Sequence, residues 1–200
     1  MDKEKEAEKV KPEKLPNTNA FQDEFTRNFM ASTEEMENGY YLFESGIEAF
    51  TLNFPKNANM DKVYYQSDGG KYEKFNFGET SVEKNIDYVV VGTLRDEEST
   101  KWVDSYLNSL SKTNGYEGEF RKYTQKNNDI YYAEFIDKVS EEKNGFYYVF
   151  LAYIMSSNSN KALSMSYSSK CYSSTQDCLL NLDIEREKAK KVFHSVRFKP

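Results

Sequence analysis

The chain has 200 residues, 38% hydrophobic and 16% aromatic, so it holds one large domain or a domain with a tail, and global disorder is excluded. Its net charge of −6 disfavours a general nucleic-acid binder, because phosphate contacts need clustered Lys and Arg. No run of about 18 apolar residues exists to form a transmembrane helix, and no signal peptide is recognisable.

The opening stretch, MDKEKEAEKVKPEKLPNTNA, lacks aromatic residues and is broken by Pro12 and Pro16. It has too little apolar area to offset the entropy of ordering, so residues 1–20 read as a flexible charged tether ahead of a single domain over 21–200. Phe21, Phe25 and Phe29 then recur at a spacing of four, which predicts an N-terminal helix within 21–36.

From Asn38 the period changes. In GIEAFTLNFP, Phe50, Leu52 and Phe54 alternate with Thr51 and Asn53, the pattern of a half-buried strand. KVYYQSDGGKYEKFNF reads as two strands around Gly69-Gly70, and NIDYVVVGTL as another strand. A helix follows near 101–111. Trp102, Val103, Tyr106, Leu107 and Leu110 form its apolar face, and Asn114-Gly115 marks its exit.

Three long strands come next: DIYYAEFI, GFYYVFLAYIM and ALSMSYSS. The middle one is apolar almost throughout, so both of its faces should be covered. The third alternates strictly, with Leu163, Met165 and Tyr167 on one side and Ser164, Ser166 and Ser168 on the other, an outward sheet face. LDIEREKAKKVFHSV predicts the last helix, led by acids and trailed by bases as the macrodipole favours, with VRF as a short edge strand. The class is therefore α+β: an antiparallel sheet flanked by helices.

The order of these elements resembles the PsbP-like fold, an α-β-α sandwich. There, a strand of the AFTLNFP type precedes a hairpin, a central helix, three long antiparallel strands and a C-terminal helix ending in a short strand. The match covers about residues 40–200 and is one of element order. It implies accessory roles such as docking, assembly or binding, and it carries over no functional residue. The charged tether resembles the mature start of bacterial lipoproteins, in which a lipidated cysteine would stand near the position of Met1.

Chemistry is sparse. Cys171 and Cys178 are the two cysteines, and His194 is the single histidine. The cysteine spacing fits neither a zinc knuckle nor a thioredoxin-type motif. A local disulfide closing the loop between strand and helix fits best. Two free thiols, or a metal or redox role, are the alternatives. A disulfide implies export. The absence of N-x-Ser/Thr sequons makes bacterial export the more natural form of it. His194 reads as a partly packed residue near the end of the last helix. No nucleotide loop, metal cluster or catalytic triad is recognisable, so no cofactor, metal or catalytic residue is expected.

The expected function is that of a non-enzymatic, envelope-associated binding domain, extracytoplasmic and either secreted or membrane-anchored through an N-terminal lipid. Its partner would be a protein or an envelope component rather than nucleic acid. An immunity or inhibitor protein that plugs a toxin or enzyme is the alternative. A hydrolase with unrecognised carboxylates is a third reading. The candidate contact surface is the Asp68–Phe77 hairpin, with Tyr64, Tyr65, Tyr72 and Phe75 as aromatic anchors. The competing reading is that these four fill the core.

Overall fold

A computed structural model describes residues 15–96, 101–139, 145–171 and 177–200. Its elements run α1 (Asn19–Gln22), α2 (Glu24–Arg27), β1 (Met30–Glu37), β2 (Tyr40–Glu44), β3 (Phe50–Pro55), β4 (Asn59–Met60), β5 (Gln66–Ser67), β6 (Tyr72–Ser81) and β7 (Ile86–Asp96). They continue with α3 (Val103–Asn114), β8 (Arg121–Gln125), β9 (Asn128–Val139), β10 (Gly145–Ser156), β11 (Lys161–Cys171), α4 (Leu182–Ser195) and β12 (Arg197–Phe198). Among the described residues the strands form two sheets. The small one has the order β1-β2-β3-β12, and the large one runs β4-β6-β7-β11-β10-β9-β8 with β5 beside β6. The chain is thus α+β and antiparallel.

The N-terminal segment departs from the single helix expected over 21–36. Asp23 takes an extended conformation (φ −78°, ψ 119°), ending α1 and capping α2. Its Oδ1 accepts from the Thr26 N–H at 2.7 Å and from the Thr26 hydroxyl at 2.5 Å. The side chain thereby competes with a continuous helix. Two single turns still bring Phe21, Phe25 and Phe29 inward, and from Met30 the chain pairs with β2. The predicted tether boundary also moves. Residues 1–14 lie outside the described residues, but Leu15 packs against the core and Ala20 is fully buried, so the domain begins before Phe21.

The main core lies between the sheets. Phe43, Phe50 and Phe54 of the small sheet meet Phe75 and Phe77 of β6, with ring centroids 5.7 Å apart for Phe43–Phe75 and 4.8 Å for Phe54–Phe77. Such aromatic pairs add directional contact to their burial. The Phe75 ring lies over its cross-strand partner Gly92, where a Cβ would stand 2.1 Å from a ring carbon. Only a residue without a side chain fits there. On the same face of the large sheet, α4 buries Ala189, Val192 and Phe193 and packs against β3, β10 and β11.

The opposite face carries α3. Leu110, Tyr106, Val103 and Leu107 pack with Val149, Leu151 and Tyr153 of β10 and with Ala133 and Ala162 of its neighbours. β10 is therefore covered twice, as its apolar run predicted: Phe150, Ala152 and Ile154 face the main core, and the alternate residues face α3. α3 ends at Gly115, whose φ of 67° is the left-handed cap geometry expected at this exit. β12 pairs with β3, so the predicted VRF edge strand closes the small sheet.

Candidate ligand groove

Period two on the strands builds the site. On the face turned toward α3, β6 presents Tyr72 and Lys74, β7 presents Val91, Thr93 and Arg95, and β11 presents Ser164 and Ser166. Register places them in rows: Tyr72 beside Arg95, and Lys74 beside Thr93, which is beside Ser164. α3 packs over β10, leaving the β6-β7-β11 half of this face open.

The result is a groove of about 650 Å³ with a hydroxyl-bearing sheet floor. Its helical wall presents Trp102, Ser105, Tyr106, Ser109 and Thr113, residues brought to one side by helical spacing. Trp102 precedes the first turn, caps no backbone group with its side chain and is 62% exposed. The Arg95 guanidinium carbon lies 5.6 Å from the Tyr72 ring centre and 5.5 Å from that of Tyr106, a cation–π clamp on each side. Tyr106 in turn stacks on Tyr153 at 5.6 Å, so the clamp rests on the core. Among the described residues the lining includes Lys74 and Arg95 and no carboxylate, thiol or imidazole. It offers hydrogen bonds, aromatic faces and positive charge.

The four aromatic residues predicted as one contact surface are divided by the fold. Phase along β6 decides this: Tyr72 and Phe75 are an odd number of residues apart and point to opposite faces. Phe75 is fully buried in the main core, whereas Tyr72 lines the groove. Tyr65 packs against Phe29 at 5.0 Å and Phe25 at 5.7 Å, and its hydroxyl donates to Glu73 Oε1 at 3.1 Å. Burial and the Glu73 charge push the Tyr65 phenol up to about 12. Tyr64 stands alone on a turn, 55% exposed. The core reading holds for Phe75 and largely for Tyr65.

The groove residues Lys74, Arg95, Trp102 and Tyr106 escaped the sequence reading. Trp102 and Tyr106 were counted toward an apolar helix face, but Trp102 lies beyond the part of α3 that the sheet covers. The serine alternation on β11 did mark an outward face. What it could not show was that α3 covers only the neighbouring strands.

His194 packs as expected: its Nε2 lies 2.7 Å from the Tyr123 hydroxyl, fastening β8 to α4. Burial, then the nearby Lys190, push its pKa down, overriding the helix-end preference for imidazolium. Among the described residues no group of three or more His, Cys, Asp or Glu gathers to hold a metal. Nor is any described helix long and apolar enough to cross a membrane. Cys171 and Cys178 form a disulfide, with Cα atoms 5.8 Å apart. It ties the end of β11 to the approach to α4, where the Leu179 N–H donates to the Lys84 carbonyl in the β6–β7 turn at 3.1 Å.

These features define a disulfide-bonded α+β domain with an open groove on one sheet face. The chain belongs to the family described as "Putative lipoprotein YvcA", whose model matches residues 16–197. A protein of that description from Bacillus subtilis (strain 168) is 31% identical over 192 residues, covering 94% of this chain and 79% of the relative.

Proposed function

We propose that this chain is the folded domain of an envelope lipoprotein, held outside the cytoplasm, which binds a ligand or partner and catalyses nothing. The observation that carries the reading is family membership over residues 16–197, together with the lipoprotein description of the relative. The Cys171–Cys178 disulfide supports it, because such bonds persist in oxidising compartments. The groove supports binding over turnover: among its described lining residues no imidazole or carboxylate stands beside the serines to act as a base. A PsbP-like kinship is part of the proposal. α3 on one face of the large sheet and α4 on the other give the layering that such a fold needs.

The Asp68–Phe77 hairpin was the expected contact patch of the binding domain. With Phe75 in the core and Tyr72 on the far face, that patch is lost.

The test is detergent phase partition of the protein expressed from its full gene in a Gram-positive host, followed by non-reducing mass spectrometry of the recovered chain. Recovery in the detergent phase with both cysteines bonded supports the proposal. Recovery from the cytosol with two alkylatable thiols overturns it, and so does turnover of an envelope polymer by the purified domain.

A further inference from the structure

We propose that a second cleft, at the junction of the two sheets and α4, binds a small zwitterion, a primary ammonium and a carboxylate on one frame of amino-acid size. The inference rests on reading the domain as a binding module and gives it a site separate from the α3 groove.

Register and packing build the cleft. Glu79 of β6 and Tyr88 of β7 are cross-strand partners, and Tyr88 stacks on Tyr167 of β11 at 5.1 Å. Tyr40 stands at the start of β2, and Lys188 reaches in from α4. These five residues line a space of about 150 Å³ on the sheet face opposite α3. That is the share of about five water molecules, room for an amino acid with a small side chain but not for a peptide or a sugar chain. Every lining residue and its chain neighbours are among the described residues.

Three groups there are left for a ligand. Tyr40 is only 9% exposed, yet its hydroxyl makes no hydrogen bond among the described residues. Buried phenols ordinarily find a partner. Burial, then the Glu37 charge, push this phenol up to about 12, so at neutral pH it is a protonated donor. Lys188 gives one N–H to Glu185 Oε1 at 2.7 Å, and an ammonium carries three. Glu79 pairs with no Lys or Arg among the described residues. After burial, its charge is the largest influence raising the Tyr88 phenol, which places it over the aromatic wall.

The charges select the ligand class. A carboxylate takes the donors of Lys188 and Tyr40 in charge-assisted hydrogen bonds, and an ammonium goes to Glu79. A plain anion would face Glu79 and a plain cation would face Lys188, so each loses half of the gain to like charge. The rings refine the choice. Tyr88 spends its ring on Tyr167 and on the Lys188 ammonium, 5.8 Å from its centre, and the Lys191 ammonium lies 5.1 Å from the centre of Tyr40. An N-methylated ammonium needs free aromatic faces and is disfavoured against a primary one, which hydrogen-bonds to a carboxylate.

The experiment is titration of the isotope-labelled 200-residue chain, read by NMR and calorimetry. The probes are L-alanine, glycine betaine, propionate and propylammonium. Shifts with alanine centred on Tyr40, Glu79, Tyr88, Tyr167 and Lys188, and about tenfold weaker binding of the other three, support the proposal. Tyr40→Phe keeps the ring and removes only the unpartnered hydroxyl, so its thermal midpoint should match the wild type while alanine binding weakens by about tenfold. Glu79→Gln should weaken it as much, and Trp102→Ala in the α3 groove should leave it unchanged. Absence of shifts with alanine at millimolar concentration shows a cleft that holds water only and overturns the inference. Equal binding of betaine, propionate or propylammonium overturns it too, as does undiminished binding in the Tyr40→Phe/Glu79→Gln double variant. Such a failure leaves detergent partition and the disulfide unaffected, so it is distinguishable from a failure of the lipoprotein reading.

Discussion

The Tyr167 hydroxyl donates a 2.5 Å hydrogen bond to Oε2 of Glu185, a residue with 0% exposure. Lys188 holds the other carboxylate oxygen at 2.7 Å, and Tyr88 stacks on Tyr167 at 5.1 Å. A carboxylate buried under α4 is tolerated because both oxygens are engaged. Burial, with Glu185 close by, drives the Tyr167 phenol well above its ordinary range. Tyr167→Phe removes one of the two donors and leaves an oxygen unsatisfied. The expected loss is about 1–3 kcal/mol, read from urea unfolding with an unchanged denaturant slope. A loss below about 0.3 kcal/mol would show that water reaches the site and replaces the phenol.

Gly92→Ala should destabilise the domain without touching the groove. The added methyl meets the Phe75 ring in the middle of the aromatic core, where neither strand has room to yield. Overpacking of this kind costs about 1–3 kcal/mol. The double variant Gly92→Ala/Phe75→Leu should recover part of that loss. Thermal melts of the two variants side by side check this. No recovery would place the strain in the backbone instead.

Reduction of the Cys171–Cys178 bond should lower stability by about 2.5 kcal/mol on the chain-entropy estimate for so short a loop. The effect should centre on the β11–α4 connection and the β6–β7 turn it touches. Hydrogen exchange with and without reductant reads it directly. Uniform loss of protection across both sheets, with none concentrated there, would count against a local clasp.

His194 and Glu134 give stability a pH dependence in separate windows. His194 is pushed down by burial first, then by Lys190 and Arg197, with Glu187 opposing. The unfolded chain therefore binds its proton at a higher pH than the folded one. Stability should be full above about 6.5 and fall as pH drops from there toward the folded value. Glu134 is held down by its hydrogen bonds to Arg186, and Tyr132 also donates to it, at 2.6 Å. Its contribution is present above the ordinary carboxylate range, about 4.3, and disappears as pH falls through the lower folded value. His194→Gln should flatten the first window, and Glu134→Gln should reduce the slope of the second, which the lowered carboxylates Glu35, Asp68 and Asp129 share. Denaturant midpoints measured from pH 3 to 8 (about one point per half unit) test both. An unaltered slope near pH 6 in His194→Gln would assign that window to another group.

Local pattern made most of the strands legible. Alternation at Phe50, Leu52 and Phe54, and at Leu163, Met165 and Tyr167, is a property of neighbouring residues, and each set is buried. The apolar run of β10 announced two covered faces for the same reason. The short spacing of Cys171 and Cys178 left a local bridge as the simplest outcome.

What the tertiary structure alone decided concerns partners distant in sequence. The local Asp23–Thr26 bonds end the predicted helix, but Met30–Glu37 becomes a strand because β2 offers an edge for it to pair with. Glu185 looks like a solvated first-turn acid in the sequence, but Tyr167, 18 residues away, takes it out of water. The groove is the fullest case. Lys74, Arg95, Trp102 and Ser164 come from four elements, and no local rule says that α3 lies over one half of a sheet face and leaves the other open. Period sets which way a side chain points, whereas whether anything covers it is settled by the packing of the whole chain.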